Sequence, residues 1–222
     1  MIKLMVDGRE IDTPEGVSVL QACLRNEIYI PHLCFLEGES DPEASCRLCF
    51  VEIEGRSGPV ASCTEPVTGG LKVQTNTPAV RHLQRSALRL LLSAHPLDCR
   101  HCHANRACAL QSMARFLDIG LKPDPLAAIP RTVEVDRSHP CLDLYPHRCV
   151  LCGKCIKVCR DYMQHPLLTL AGRGIHTSVR YYGASGVQAI DCRSCGRCAA
   201  VCPVGAIQLK NDGQGVKNSP AH

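Results

Sequence analysis

The cysteines of this chain stand in groups: CVLCGKCIKVC at 149–159, CRSCGRCAAVC at 192–202, HPLDCRHCHANRAC at 95–108, and Cys34, Cys46, Cys49 and Cys63 nearer the start. Thiolates at two-residue intervals suit metal binding. A CxxCxxC run lets one tight loop present three thiolates to three corners of an iron–sulfur cubane, while the fourth Cys, on the helix that follows, points to a second cluster. The spacing CxxCxxCxxxC occurs twice, which implies a duplicated half-domain. It pairs Cys149, Cys152, Cys155 and Cys202 around one 4Fe–4S cluster, and Cys159, Cys192, Cys195 and Cys198 around another. Pro203 follows Cys202, whereas Arg160 occupies the matching position of the first repeat, a departure at the local turn. Zinc is the rival, but a tetrahedral ion needs two CxxC pairs and leaves the third Cys of each run unused.

The other two groups are less decisive alone. Cys34, Cys46, Cys49 and Cys63 are separated by 11, 2 and 13 residues, which is not plant-type ferredoxin spacing. They follow a strand–strand–helix pattern of the kind that carries a 2Fe–2S cluster, with structural zinc as the alternative. In the group at 95–108, Cys99, Cys102 and Cys108 supply three thiolates and His95 can supply an imidazole, with His101 and His103 as rival ligands. A neutral imidazole in place of a thiolate raises the potential of such a centre.

The elements that must position these groups can be read around them. Ile2 to Val6 and Arg9 to Thr13 flank Asp7-Gly8, a dipeptide suited to a tight hairpin. Ser18 and Gln21 form a capping box before Val19, Leu20, Cys23 and Leu24. Cys49 to Glu54 and Leu71 to Gln74 read as short strands. Thr77 caps and Pro78 opens a helix with Val80, Leu83, Ala87, Leu90 and Leu91 on one face. Arg81, Arg85 and Arg89 form a basic stripe expected to be a solvated face, docking on an acidic neighbour being the alternative. The stretch LKPDPLAAIPRTVEVDRSHP reads as a linker or extended crossing, and NDGQGVKNSPAH as a mobile tail.

Composition narrows the class. The chain has 222 residues, 17 of them Cys, is 45% apolar and 21% charged, and is long enough for one or two cores. An odd cysteine count, clustered spacing and an N-terminus without signal-peptide character argue against a secreted disulfide scaffold. No apolar run approaches the ~18 residues of a membrane span. The formal charge is +4 with every Cys neutral. Oxidised clusters would carry that to about −3. Arg47, Arg100, Arg106, Arg148, Lys154, Lys157, Arg193 and Arg197, all beside the cysteines, then read as partners for buried negative charge. A nucleic-acid role loses its basis, since no basic stripe is interleaved with aromatics. No GxGxxG follows a strand, no phosphate-binding loop is present, and only Cys23 and Cys141 remain outside the four groups. Both are expected to be packing residues.

The ordered set of motifs resembles the N-terminal part of the large iron–sulfur subunit of complex I, of some iron-only hydrogenases and of NAD-dependent formate dehydrogenases. The resemblance covers residues 1 to about 209. It implies an α+β architecture with an N-terminal β-grasp 2Fe–2S ferredoxin-like domain (1–77), a small helical His/Cys3 4Fe–4S domain (78–120), a linker (121–140), a bacterial-type two-cluster ferredoxin domain (141–209) and a flexible tail (210–222). It implies one 2Fe–2S cluster on Cys34, Cys46, Cys49 and Cys63, and three 4Fe–4S clusters, with His95 favoured over His101 and His103. Both ferredoxin repeats are intact and no further region follows, so the chain is expected to be a free-standing subunit. The family built this way is that of the diaphorase-side small iron–sulfur subunits of cytoplasmic NAD-reducing nickel–iron hydrogenases.

This resemblance implies a cytoplasmic electron relay without a catalytic residue or an NAD or FMN site of its own. It would serve a hydrogen dehydrogenase complex, between a flavin- and NAD-binding diaphorase subunit and the nickel–iron hydrogenase small and large subunits. A flavin exchanges two electrons with NAD while each cluster carries one, so a string of clusters connects distant sites. The same role in a formate dehydrogenase or complex I-like assembly is the alternative. A zinc-stabilised interaction protein is the reading from another class.

Overall fold

The computed structural model describes residues 1–39, 41–129, 131, 133–163, 167–182 and 189–210. They form two compact units. The first takes Met1–Ser93 and Ala109–Ala128, and the second takes Ala94–Cys108 and the described residues from Ile129 onward.

In the first unit, β1 (Ile2–Val6) and β2 (Arg9–Thr13) pair antiparallel, with Val6 opposite Arg9. The turn between them holds Asp7 at φ 50° and Gly8 at φ 84°, the left-handed pair that a two-residue hairpin of this twist requires. Asp7 has a second task. One carboxylate oxygen accepts from the Thr75 backbone N–H at 2.8 Å and the other from the Thr75 hydroxyl at 2.6 Å, tying the hairpin to the end of β5 (Lys72–Gln74). Strands β3 (Phe50–Ile53) and β4 (Val60–Ala61) complete a five-stranded sheet of order β2-β1-β5-β3-β4, in which only the β1–β5 pair is parallel. Helix α1 (Val19–Arg25) starts where the Ser18 hydroxyl accepts from the Gln21 N–H at 3.2 Å. It buries Val19, Leu20, Ala22 and Cys23 against Leu4, Val6, Val51 and Val73 of the sheet. Burial lifts the Cys23 thiol to about 12, which leaves it an inert packing group.

Helix α2 (Pro78–Ser93) begins with the Thr77 hydroxyl accepting from the Val80 N–H. Its fully buried Gln84 donates to the Phe50 carbonyl of β3 at 3.0 Å and accepts from Arg81 at 3.2 Å. The arginine stripe departs from the solvated face expected of it. The Arg81 guanidinium lies 4.6 Å from the ring centre of Phe116 and Arg85 donates to the Leu117 carbonyl at 2.8 Å, so both fasten α3 (Ala109–Phe116) to α2. A guanidinium gains more from a helix-end carbonyl and a ring face than from water alone, and sequence spacing cannot show which neighbour offers them.

In the second unit, β6 (Leu142–Leu144) pairs antiparallel with β9 (Ile207–Leu209), and β7 (Leu168–Ala171) with β8 (Ser178–Tyr181). The unit also holds α4 (Lys154–Met163), α5 (Ala189–Cys195) and α6 (Arg197–Ala200), with α4 packed on β7 and α6, and α6 on β9. Leu142, Leu144, Leu168, Val179 and Ile207 form the apolar centre. The two cysteine repeats share one backbone device, Gly153 at φ 76° and the matching Gly196 at φ 55°, which turn the chain between the second and third Cys of each run. They differ in how the first two thiols are carried. Cys149 and Cys152 stand on a loop, whereas Cys192 and Cys195 lie three apart on one face of α5. Arg160 does not end the first repeat in a turn, because α4 runs through it to Met163. The tail expected at 210–222 lies, from residue 211, outside the described residues.

Replacing Gln84 by Ala removes the side chain that joins α2 to the Phe50 carbonyl. The expected loss is about 1–3 kcal/mol in denaturant unfolding of the metal-loaded chain.

Candidate metal centres

None of the 17 cysteines takes part in a disulfide. In the first unit, Cys34 follows α1, Cys46 and Cys49 sit on the loop entering β3, and Cys63 follows β4. The β3–β4 register, Phe50 opposite Ala61, brings Cys49 beside Ser62, whose N–H and hydroxyl both donate to the Cys49 carbonyl at 2.9 and 2.7 Å. Ser62 in turn accepts from the Leu20 N–H at 3.0 Å, so α1 is tied to the same loop. Arg47 takes φ 53° between Cys46 and Cys49 and lies over the Phe50 ring, 5.1 Å from its centre. All four thiols are buried. Hydrogen bonds from Cys46 to Cys34 and from Cys63 to Cys49 hold the accepting thiols below the usual range. The four sulfurs are thus paired two by two, and Cys63 also feels the charge of Cys34 and Cys46.

In the second unit, Cys99 opens a short 3-10 turn ending at His101, and Cys102 caps it. Cys108 is buried, while Cys99 and Cys102 are half-buried. The three histidines differ sharply. His101 is exposed and bonded to Asp98 at 2.6 Å. His103 is exposed, its ring 6.1 Å from that of Tyr145. His95 alone has a ring nitrogen, Nδ1, that is shut off from solvent and lacks a hydrogen-bond partner. Burial, opposed by the Arg148 carbonyl, pushes its pKa down to about 4 and keeps the imidazole neutral. A neutral ring with an orphaned buried nitrogen fits a metal ligand.

The ferredoxin-like repeats enclose two cavities. The first is lined by Cys149, Cys152, Cys155 and Cys202, and the second by Cys159, Cys192, Cys195 and Cys198. Each wall thus takes three thiols from one repeat and the last from the other. Backbone N–H groups already aim at sulfur: Leu151 at Cys149 (3.3 Å), Leu167 at Cys159 (3.4 Å) and Ala206 at Cys202 (3.1 Å). Burial raises the Cys152 thiol to about 11 and the Cys198 thiol to about 12. A bound cluster must supply the positive charge that makes thiolates of such buried groups. The two cavities with four thiols each, and the four interacting thiols of the first unit, are donor sets that fit iron–sulfur clusters; His95, Cys99, Cys102 and Cys108 share one loop, and the structure defines no common pocket for them among the described residues.

Two residues beside these cavities carry no spacing signal. Arg131, in the proline-rich stretch read as a linker, donates to the Cys149 carbonyl at 3.2 Å and its charge favours the Cys149 thiolate. His139 lines the second cavity. Of the basic residues expected to answer cluster charge, Lys154 does favour the Cys152 thiolate. Arg148 and Arg197 lie over Tyr145 and Tyr162, 4.5 and 4.3 Å from the ring centres.

Comparison with known proteins matches three domain families in order. Residues 1–78 match a 2Fe–2S iron–sulfur cluster binding domain, 84–121 the NADH-ubiquinone oxidoreductase-G iron–sulfur binding region, and 139–208 the ferredoxin-like domain of NADH-quinone oxidoreductase subunit 3. A crystal structure of NAD+-reducing [NiFe]-hydrogenase contains a chain that superposes with TM-score 0.83 at 31% identity, over 99% of this chain and 90% of that one. The chain belongs to the iron–sulfur subunit family of NAD-reducing hydrogenases and complex I-like oxidoreductases. Family relatives include the NADPH-Fe(3+) oxidoreductase subunit alpha of Geobacter sulfurreducens (32% identical over 95% of this chain and 24% of that protein). The G subunit of NADH-quinone oxidoreductase from Rickettsia prowazekii is 34% identical over 95% of this chain and 30% of its own length. The NADP-reducing hydrogenase subunit HndD of Solidesulfovibrio fructosivorans is 33% identical over 93% and 36%. The chain spans only 24% to 36% of the length of these relatives. Its family architecture is a mixed α/β one, with an N-terminal 2Fe–2S domain followed by 4Fe–4S and ferredoxin-like domains. Among the described residues no helix is long and apolar enough to cross a membrane.

One glycine joins the His95–Cys108 loop to the ferredoxin-like fold. Gly205 has φ +64°, and a Cβ there would stand 2.7 Å from the Ala104 Cβ and 2.9 Å from the His103 Nε2. Gly205→Val is expected to cost about 1–3 kcal/mol through backbone strain and overpacking. Denaturant unfolding and iron content of the loaded variant check it.

Proposed function

We propose that the chain is a relay that passes single electrons between a flavin-bearing, NAD-reacting diaphorase subunit and the small and large subunits of a nickel–iron hydrogenase, in a cytoplasmic complex that reduces NAD with hydrogen. The observation that carries this reading is the crossed lining of the two ferredoxin-like cavities, three thiols from one repeat and one from the other. Crossing of this kind suits two neighbouring clusters held by one small fold. The likeness to a chain of an NAD+-reducing hydrogenase over nearly its whole length supplies the assembly.

The proposed residues are these. Cys34, Cys46, Cys49 and Cys63 hold a 2Fe–2S cluster in a β-grasp domain at 1–77. His95, Cys99, Cys102 and Cys108 hold a 4Fe–4S cluster in a helical segment at 78–120, followed by a linker at 121–140. Cys149, Cys152, Cys155 and Cys202 hold a second 4Fe–4S cluster, and Cys159, Cys192, Cys195 and Cys198 a third, in a bacterial-type ferredoxin domain at 141–209, before a tail at 210–222. Such clusters supply one-electron chemistry without a substrate. The polypeptide's part is to bury the thiolates, aim the N–H groups of Leu151, Leu167 and Ala206 at sulfur, and set fixed charge beside them through Arg131 and Lys154. The NADH-quinone oxidoreductase and HndD relatives favour one alternative, the same relay in a complex I-like or other NAD(P)-linked oxidoreductase.

Anaerobic purification with iron, sulfide and zinc analysis separates the relay from a zinc-held interaction protein. Iron and acid-labile sulfide in a brown protein are expected, and a colourless zinc protein with native folding excludes the relay. Nickel in a co-purifying subunit is expected, whereas molybdenum points to the formate dehydrogenase alternative. Replacing His95 by Cys keeps a cluster and lowers its midpoint in a redox titration followed by low-temperature EPR, because the site gains a negative ligand. An unchanged midpoint removes His95 from the ligand set.

A further inference from the structure

We infer that His139 donates a hydrogen bond from its Nε2–H to a sulfur of the cluster held by Cys159, Cys192, Cys195 and Cys198, and that this bond raises the cluster's potential. The inference rests on the ligand set proposed above and adds a residue that no cysteine motif contains.

His139 is 1% exposed and forms part of the wall of that cavity, with all four cysteines. Its ring is fixed from two sides. Nδ1 accepts from the Cys141 backbone N–H at 3.0 Å, and the ring meets Tyr181 edge to face at 4.5 Å between centres. The carbonyl of His139 accepts from the Lys210 ammonium at 2.7 Å, anchoring the backbone as well. An acceptor at Nδ1 places the proton of the neutral ring on Nε2. The rest of the wall is Leu142, Leu167, Leu168, Gly196 and Arg197, none of whose side chains accepts a hydrogen bond. Among the described residues, cysteine sulfur is therefore the only side-chain acceptor the cavity offers. Tyr181 feels the charge of Cys192, which sets the His139–Tyr181 pair beside one ligand of this group. A donor to cluster sulfur stabilises the reduced, more negative state, and hydrogen bonds to sulfur are one of the levers that set such potentials. The backbone N–H of Leu167, 3.4 Å from the Cys159 sulfur, is a second donor to the same group.

The test uses the full-length, iron-loaded chain. Wild-type iron and sulfide content with three 4Fe–4S signals establishes the ligand reading first, and its absence overturns both. Given those signals, His139→Phe shifts the midpoint of one 4Fe–4S cluster to more negative potential and leaves the others in place. His139→Gln, whose amide keeps an N–H at a similar reach, restores most of the shift. A His139→Phe protein with full iron content and unmoved midpoints overturns the inference while leaving the clusters standing. Should the Phe variant lose iron, 15N-histidine labelling of His95→Cys protein decides. A weak 15N coupling on one reduced cluster is expected, and its absence overturns the inference.

Discussion

Burying thiolates is the constraint on which the rest of this molecule depends. A sulfur anion in a dry pocket is costly unless something positive is bound to it and something polar points at it. Burial shows that cost at Cys152 and Cys198, whose thiols it holds far above the ordinary range. The fold nevertheless sets out donors for charge that arrives only with the metal. N–H groups of Leu151, Leu167 and Ala206 lean on sulfur, and Arg131 is bound to the Cys149 carbonyl beside the first cavity. Loading of such a pocket is expected to be coupled to folding, because an unfolded chain does not hold the site ready-made.

The two units meet the constraint in different ways. In the first, a loop entering β3 and the turn after β4 converge because the β3–β4 register forces them together, and α1 is tied to that turn through Ser62. In the second, a duplicated segment closes on itself, so that each cavity borrows its last cysteine from the opposite repeat. That exchange makes neither half sufficient alone. It also holds the two cavities in one small body, the arrangement a short electron step requires.

Much of this can be read from the residues themselves. Asp7-Gly8, Ser18 with Gln21 and Thr77 before Pro78 are local signals whose physics is complete within a few residues, and each occupies the turn or cap read for it. The arginine stripe of α2 misleads, because what Arg81 and Arg85 bind is decided by Phe116 and Leu117 some thirty residues on. Strands β6 to β9 are only three or four residues long, too short for their alternation to mark them in the sequence, and β6 finds its partner β9 far along the chain. Arg131 and His139 lie in a proline-rich stretch that reads as a linker. Their roles come from tertiary position alone, and no spacing rule can find them. The helix that carries Cys192 and Cys195 is equally hidden, since the same spacing fits a loop in the first repeat and a helical face in the second.

Diffraction from anaerobically grown crystals, with anomalous data collected at the iron edge, tests the account most directly. Four separate iron peaks are predicted: one beside Cys34, Cys46, Cys49 and Cys63, one beside His95 and Cys99, and one in each of the two crossed cavities. Single zinc ions at those positions, or sulfur–sulfur bonds bridging the cysteines, would contradict it.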